Sequence, residues 1–85
     1  MTTKPKHETV LAKWLREATS DERERLAMLA GTSVLYLYSL AACRRQPLVG
    51  LAVRLAEASA EVSREGLDAF SVEDLAMMCA LEGLA

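Results

Sequence analysis

Two stretches of helical sequence meet at Gly31 with only one or two residues between them, and this junction limits the folds open to the chain. The first stretch opens with TSDE at residues 19–22, a capping box in which each end residue bonds to the backbone of the other. Gly31 ends this helix because glycine readily adopts positive φ. A second helix follows, with Thr32 or Ser33 as its N-cap. The junction predicts two short helices joined by a tight turn.

The remaining sequence also favours helices and a single all-α domain. Its 85 residues suit one domain, 52% of them are hydrophobic and only 5% are aromatic, and no segment alternates with period two. Apolar spacing predicts further helices over residues 9–18, 48–58 and 72–84, with an irregular segment at 59–69. We expect three parts: a disordered leader at 1–8, a helical domain at 9–70 and a C-terminal helix at 71–85.

The last predicted helix has almost no polar face after its first turn. A helix that is apolar all round must be buried on more than one side. One solution is a homodimer that uses this helix, and adaptable methionines suit such an interface. The other solution folds the helix back as a lid on its own core. The predicted interface residues are Leu75, Met77, Met78 and Leu81.

The cysteines and the histidine offer no metal site. Cys43 and Cys79 lie far apart without ligand spacing, and His7 is in the polar N-terminal segment. We therefore expect no metal and no cofactor, and two reduced, half-buried thiols in a cytosolic protein. No signal peptide and no membrane-spanning segment are apparent, so we expect a cytoplasmic protein of a bacterial host without membrane contact.

The charges are unevenly distributed along the chain. Residues 1–50 hold eight Lys or Arg and five Asp or Glu, which gives +3. Residues 51–85 hold two Arg and seven Asp or Glu, which gives −5, so the chain totals −2. A basic half beside an acidic half suggests that one surface faces an anionic partner.

The residues around Gly31 match the requirements of a helix-turn-helix motif over residues 19–42. Such a motif needs a small residue where the two helices cross, a glycine at the turn and apolar residues that hold the second helix against the first. Ala27, Gly31, Leu37 and Leu40 supply these at offsets of 0, 4, 10 and 13. The motif predicts double-stranded DNA as the partner. No constellation of catalytic side chains emerges, so we do not expect an enzyme.

The segment LAMLAGTSVLYLYSLAACRRQPLVGLAVRLAEAS resembles Cro/CI-type helix-turn-helix regulators, in particular the short prophage Cro-like proteins called YdaS-like antitoxins. The resemblance covers about residues 10–67. This chain departs from that pattern at Cys43, where the family has glycine, at Leu48, where it has serine, and in its C-terminal tail. The matching residues are Gly31-Thr32-Ser33, Tyr36-Leu37-Tyr38, Ala41, Arg45, Pro47, Leu51-Ala52, Val62-Ser63-Arg64 and Leu67.

The resemblance implies a lambda-repressor-like fold of four or five helices, with the helix at 33–42 in the major groove of a regulated operator. Arg, Asn and Gln, the strongest base readers, are absent from the outward face of this helix, so we expect modest sequence discrimination. An outward Leu and Tyr also suit a second hypothesis, a protein-binding module such as an antitoxin or an inhibitor of a bacterial or phage protein. The predicted DNA-binding residues are Ser33, Leu35, Tyr36, Tyr38, Ser39, Arg44 and Arg45.

Overall fold

The computed structural model describes residues 8–79, which form five helices and no strand. The prediction of an all-α chain is therefore confirmed for these residues. The leader expected at 1–8 lies outside the described residues except for Glu8, whose carboxylate pairs with Arg16. The helices are α1 (Val10–Glu17), α2 (Ser20–Ala30), α3 (Val34–Ala41), α4 (Val49–Val62) and α5 (Val72–Met78).

The turn between α2 and α3 forms as the sequence predicts. The Thr19 hydroxyl accepts from the Glu22 N–H at 3.2 Å, and the Glu22 carboxylate accepts from the Thr19 N–H at 2.8 Å. Gly31 has φ 75°, and its N–H and that of the next residue bond back to the last turn of α2. Ser33 then caps α3 by accepting from the Tyr36 N–H at 3.2 Å.

The core lies where α2 packs against α4 and where α1 packs against both α3 and α5. The rings of Trp14 and Phe70 meet edge to face with centroids 6.2 Å apart, an arrangement that aromatic pairs favour. This packing fixes α3 on α1 and α2 and leaves its opposite face outward. The largest fully buried apolar side chains are Leu11, Leu15, Leu26, Leu37, Leu40, Leu55, Leu67 and Leu75.

α4 is longer than its sequence pattern suggested, because it continues through residues 59–62. Ser59 is fully buried, and its hydroxyl lies 2.8 Å from the Ala56 carbonyl and 3.2 Å from the Phe70 carbonyl. The same oxygen accepts from the Phe70 N–H at 3.1 Å. A polar residue thus replaces an apolar one on the buried face. Leu48, the first residue of the predicted helix at 48–58, is instead an exposed N-cap with no side-chain cap bond.

α5 folds back on its own chain, which is the lid arrangement rather than a free apolar helix. Leu75 is only 2% exposed and lies in the core, so the expectation that it forms a dimer interface is wrong. Met78 is half-buried against the same core, whereas Met77 is 68% exposed. Leu81, the fourth predicted interface residue, lies outside the described residues.

The two cysteines form a disulfide, so the expectation of reduced thiols is wrong for this structure. The Cα atoms of Cys43 and Cys79 are 5.6 Å apart although 36 positions separate them in sequence. The folding back of α5 brings its end to the end of α3. Because this proximity is tertiary, the spacing of the two cysteines along the chain could not indicate it.

Two arginines satisfy the carbonyl groups that helix ends leave unpaired. Arg23 donates to the Leu15 carbonyl near the end of α1 at 2.7 Å, and Arg54 donates to the Ala30 carbonyl at the end of α2 at 3.1 Å. A cation at a helix C-terminus is favourable because the dipole is negative there. Arg54 of α4 therefore stabilises the C-terminus of α2, directly before the turn at Gly31.

None of the helices between residues 8 and 79 combines the length and hydrophobicity that a membrane span requires.

Candidate nucleic-acid interface

The outward face of α3 is small, apolar and uncharged. Leu35 in its first turn is 80% exposed, and Tyr38 one turn later is 46% exposed. Ser33 is also exposed at the N-terminus of the helix. The opposite face is held by Leu37 and Leu40, both 0% exposed, as the motif requires. The packing of α3 therefore turns Ser33, Leu35 and Tyr38 toward solvent together.

Two of the predicted DNA-binding residues are less accessible. Tyr36 is half-buried and packs against the core, so only part of its ring is available to a partner. Ser39 is also half-buried, and its carbonyl is occupied by the Arg44 N–H at 3.0 Å. The exposed members of the predicted set form what we call the α3 surface, which consists of Ser33, Leu35, Tyr38, Arg44 and Arg45.

The end of α3 is fixed by backbone and side-chain bonds. Cys43 adopts the left-handed conformation with φ 61°, and the N–H groups of Cys43 and Arg44 donate to the Leu40 and Ser39 carbonyls, both at 3.0 Å. This is a Schellman motif, in which glycine is usual. The cysteine thus keeps the turn that a glycine would make.

Thr9 ties the same end of α3 to α1. Its hydroxyl donates to the Ala41 carbonyl at 2.8 Å and accepts from the Ala12 N–H at 3.1 Å. Thr9 is therefore both the N-cap of α1 and a brace for α3. The apolar spacing had indicated only that Thr9 begins the first helix, and the bond to Ala41 depends on the tertiary fold.

Most arginines are engaged in the fold, but the pair after α3 is not. Arg23 and Arg54 bond to helix ends, Arg16 pairs with Glu8, and Arg64 pairs with Glu22. Within residues 8–79, four exposed cationic side chains make no hydrogen bond or ion pair. They are Lys13, Arg25, Arg44 and Arg45.

A long stretch of sequence without acidic residues includes the α3 surface. Residues 25–56 contain four arginines and neither Asp nor Glu. The count over the two halves of the chain had hidden this, because five of the acidic residues precede position 25. A polyanion that approaches α3 therefore meets no carboxylate from α3 itself or from the loop that follows it.

The ion pair between Glu22 and Arg64 is structural and lies at the start of α2. The Arg64 guanidinium donates to both carboxylate oxygens of Glu22, one bond being 2.9 Å. These bonds, helped by the Thr19 N–H, lower the pKa of Glu22 from 4.5 to about 2. The pair joins α2 to the turn after α4 and engages Arg64 away from the α3 surface.

The α3 surface has chemistry that suits a nucleic-acid backbone and base edges. Guanidinium groups bind phosphate through parallel hydrogen bonds, and serine and tyrosine hydroxyls donate or accept. An exposed leucine offers only apolar contact. Among residues 8–79 no group of three or more potential metal ligands is found.

Exposed apolar side chains occur outside α3 as well. On a small domain such side chains mark candidate contact surfaces when they cluster. The exposed large apolar residues beyond α3 are Met28, Leu29, Leu48, Val49, Val53 and Met77.

Comparison with known proteins identifies no relative. No protein-family model matches the chain, and no curated protein or solved structure is significantly similar to it. The resemblance to Cro/CI-type regulators therefore rests on the motif residues between positions 10 and 67.

Proposed function

We propose that the chain is a DNA-binding transcriptional regulator of the Cro-like phage or prophage type, with a lambda-repressor-like fold and α3 in the major groove. One observation carries the proposal: the tight turn at Gly31 leaves the α3 surface outward, and its two arginines are unpaired within an acid-free stretch. The tight turn, the small residue at position 27 and the buried leucines of α3 support the motif.

The proposed roles follow from exposure and charge. Arg44 and Arg45 bind phosphates next to the groove, which supplies affinity and little sequence information. Leu35 contacts a thymine methyl group, and Ser33 and Tyr38 bond to bases, sugar or phosphate. Since no side chain of this face makes a bidentate bond to a base, affinity depends mainly on phosphates and discrimination is modest.

Selection of bound duplexes from a random pool at moderate salt, followed by affinity measurements across a salt series, tests the proposal. Each phosphate contact adds roughly 0.9 to the slope of log affinity against log salt. Arg44→Ala and Arg45→Ala should each flatten the slope by up to about that amount and weaken all sequences similarly. Leu35→Ala should change the ranking of sequences and leave the slope nearly unchanged.

Lys13→Ala is the matched control for the arginine variants. Lys13 is an exposed, unpaired cation of α1, and it lies beside Glu17 and Asp68. The Lys13→Ala variant should leave the slope of log affinity against log salt unchanged. An equal effect of Lys13→Ala and Arg44→Ala would mean that net charge, rather than the α3 surface, governs binding. If no duplex binds above the non-specific level at low salt, the regulator proposal fails.

A homodimer extends the same proposal. Two recognition helices about one DNA turn apart, ~34 Å, suit a palindromic site. Among the predicted interface residues that lie within 8–79, Met77 is the one that remains well exposed, since Leu75 is in the core and Met78 is half-buried. An interface through α5 would therefore centre on Met77.

The second candidate is a protein-binding module that uses the same helix, as in an antitoxin or an inhibitor. The exposed fractions of Leu35 and Tyr38 favour it, because aromatic and apolar side chains dominate the centres of protein interfaces. Binding measurements on three alanine variants distinguish the DNA-binding regulator from the protein-binding module. Loss of a protein partner in Leu35→Ala and Tyr38→Ala, with Arg44→Ala neutral and no duplex bound, supports the module.

A further inference from the structure

The disulfide joins the α3 surface to the end of α5, and neither the motif nor the proposed function accounts for it. Cys43 directly precedes Arg44 and Arg45, and Cys79 follows the last turn of α5. The bond is thus the covalent link between the segment proposed to hold phosphates and a short helix whose packing rests on few side chains.

The conformation of Cys43 indicates that its side chain is needed. It is the residue other than glycine with positive φ between residues 8 and 79, in a turn where glycine is usual. Side chains are disfavoured in this conformation. A cysteine at this position gains nothing for the turn itself, but it places a sulfur within reach of α5.

A cavity adjoins the disulfide on the side of Cys79. Both cysteines are half-buried, and Cys79 lines a cavity of about 310 Å³ between α4 and α5. Gln46 and Pro47, from the loop after Arg45, line the same cavity with Val72. The cavity is therefore a side from which a small thiol would approach Cys79, and it is lined by both segments that the bond joins.

We propose that Cys43–Cys79 is a thiol–disulfide exchange site for small thiols of the glutathione class, and that its bond state sets how firmly the Arg44–Arg45 segment is held. The effect on DNA rests on the proposed function, whereas the effect on the segment does not. In the oxidised form the Arg44–Arg45 segment is already held in the conformation that binds phosphates. In the reduced form the segment becomes ordered only on binding, which lowers the affinity.

The exchange is balanced in atoms and electrons. A thiolate attacks one sulfur, breaks the S–S bond and forms a mixed disulfide, and the other cysteine leaves as a thiolate that takes a proton from water. A second small thiol displaces the remaining cysteine. The products are two protein thiols and one small disulfide, with two electrons passed from the small thiols to the protein. Oxidised glutathione drives the reverse reaction.

The test equilibrates the full chain in buffers of reduced and oxidised glutathione at varied ratio. Alkylation and mass spectrometry report the bond state, and hydrogen exchange reports protection at residues 40–47 and 72–79. On reduction we expect protection to fall further in these two segments than in α2, whose amides lose only what global destabilisation takes. Affinity for a selected duplex should fall about tenfold, within the usual range of coupling between sites. Far-UV circular dichroism at low temperature should stay constant.

Cys43→Gly separates the bond from the turn, because glycine keeps the left-handed conformation without a sulfur. We expect this variant to bind DNA like the reduced wild type and to ignore the glutathione ratio. Binding equal to that of the oxidised wild type would overturn the proposal, as would unchanged protection on reduction or a loss of circular dichroism that signals global unfolding. If the oxidised protein binds no duplex, the proposed function fails, and the hydrogen-exchange comparison alone supports or overturns the exchange site.

Discussion

Replacing Cys79 by serine breaks the link between α3 and α5 and should destabilise the domain strongly. The bond closes a loop with a sequence separation of 36. In the chain-entropy account, the constraint on the unfolded chain contributes about 4 kcal/mol to the free energy of unfolding. A chain of this length has a total of about 4–13 kcal/mol, so the loss removes a large share of it. We expect the melting temperature of Cys79→Ser to fall by about 15–30 °C.

Cys43→Gly should be less harmful than Cys79→Ser, although both variants lose the same bond. Cys43 has φ 61°, and a left-handed residue with a side chain costs roughly 1–2 kcal/mol that glycine does not pay. The glycine variant should therefore be the more stable by about this amount. The difference in stability between the two variants tests the effect of the left-handed turn. The stability that both variants lose relative to the wild type tests the effect of the disulfide.

Thermal unfolding followed by far-UV circular dichroism and by fluorescence measures both effects. Trp14, the single tryptophan, is buried against Phe70 and reports on the core. Coincident transitions by the two probes justify a single free energy of unfolding. A fall of less than about 5 °C in Cys79→Ser, roughly 1 kcal/mol for a domain of this size, would refute the reasoning about the bond. A glycine variant less stable than the serine variant would refute the reasoning about the turn.

Four further predictions concern the turn, an ion pair, a buried hydroxyl and α5. Gly31→Val should cost roughly 1–2 kcal/mol in the free energy of unfolding, because positive φ strains a side chain even where no atom lies within 4 Å of its Cβ. Glu22 has a pKa of about 2 against 4.5 ordinarily, so its ion pair stabilises the fold above pH 4.5 and this contribution is lost as the pH falls toward 2. Acid unfolding of Glu22→Gln should therefore lack that component. Ser59→Ala should cost about 1–3 kcal/mol in chemical denaturation, because the buried Phe70 N–H loses its acceptor. Met77→Glu should shift a dimer toward monomer in light scattering, since the side chain is exposed on α5.

Each of these variants has a matched control in the chain. Gly50→Ala lies in α4, where a Cβ meets only ordinary contact, and it should not destabilise. Glu24→Gln changes an exposed carboxyl of α2 outside the ion pair, and Ser63→Ala removes an exposed hydroxyl. Met28→Glu introduces the same charge at an exposed methionine of α2. A control variant with an effect as large as that of its test variant would contradict the corresponding prediction. A wild type that is monomeric at high concentration would contradict the prediction for Met77→Glu.

Local signals predicted the parts of the fold that depend on neighbours in sequence. The capping box at the start of α2, the left-handed Gly31 and the serine cap of α3 each involve residues within a few positions of one another. These interactions are made with backbone groups at the end of the same helix, so they depend little on the rest of the fold. The helix-turn-helix spacing then placed Leu37 and Leu40 inward, which left Leu35 and Tyr38 outward.

Tertiary contacts decided what the sequence did not predict. Ser59 looks like a helix end by composition, yet bonds to Phe70 bury it within α4. The Cys43–Cys79 bond needs α5 to fold back, and no local pattern encodes that. Burial of Leu75 in the core, rather than in a dimer, follows from the same fold-back.

The sequence predicted which helix carries the candidate site, but not how exposed each of its residues is. The spacing of the motif residues identified the helix, but Tyr36 and Ser39 are half-buried in the fold, which reduces their access to a partner. The partners of the arginines also required the structure, because Arg54 bonds to a helix end while Arg44 and Arg45 stay unpaired.

Backbone amide shifts in NMR spectra, recorded as a selected duplex is added to the oxidised protein, show which helix contacts DNA. We expect the largest changes at residues 33–45, at the N-terminus of α3 and along the Arg44–Arg45 segment. Residues 57–78, which carry acidic side chains on α4 and α5, should change little. Changes centred on α4 or α5, or no changes at a duplex concentration that saturates binding, would contradict the claim that α3 reads DNA.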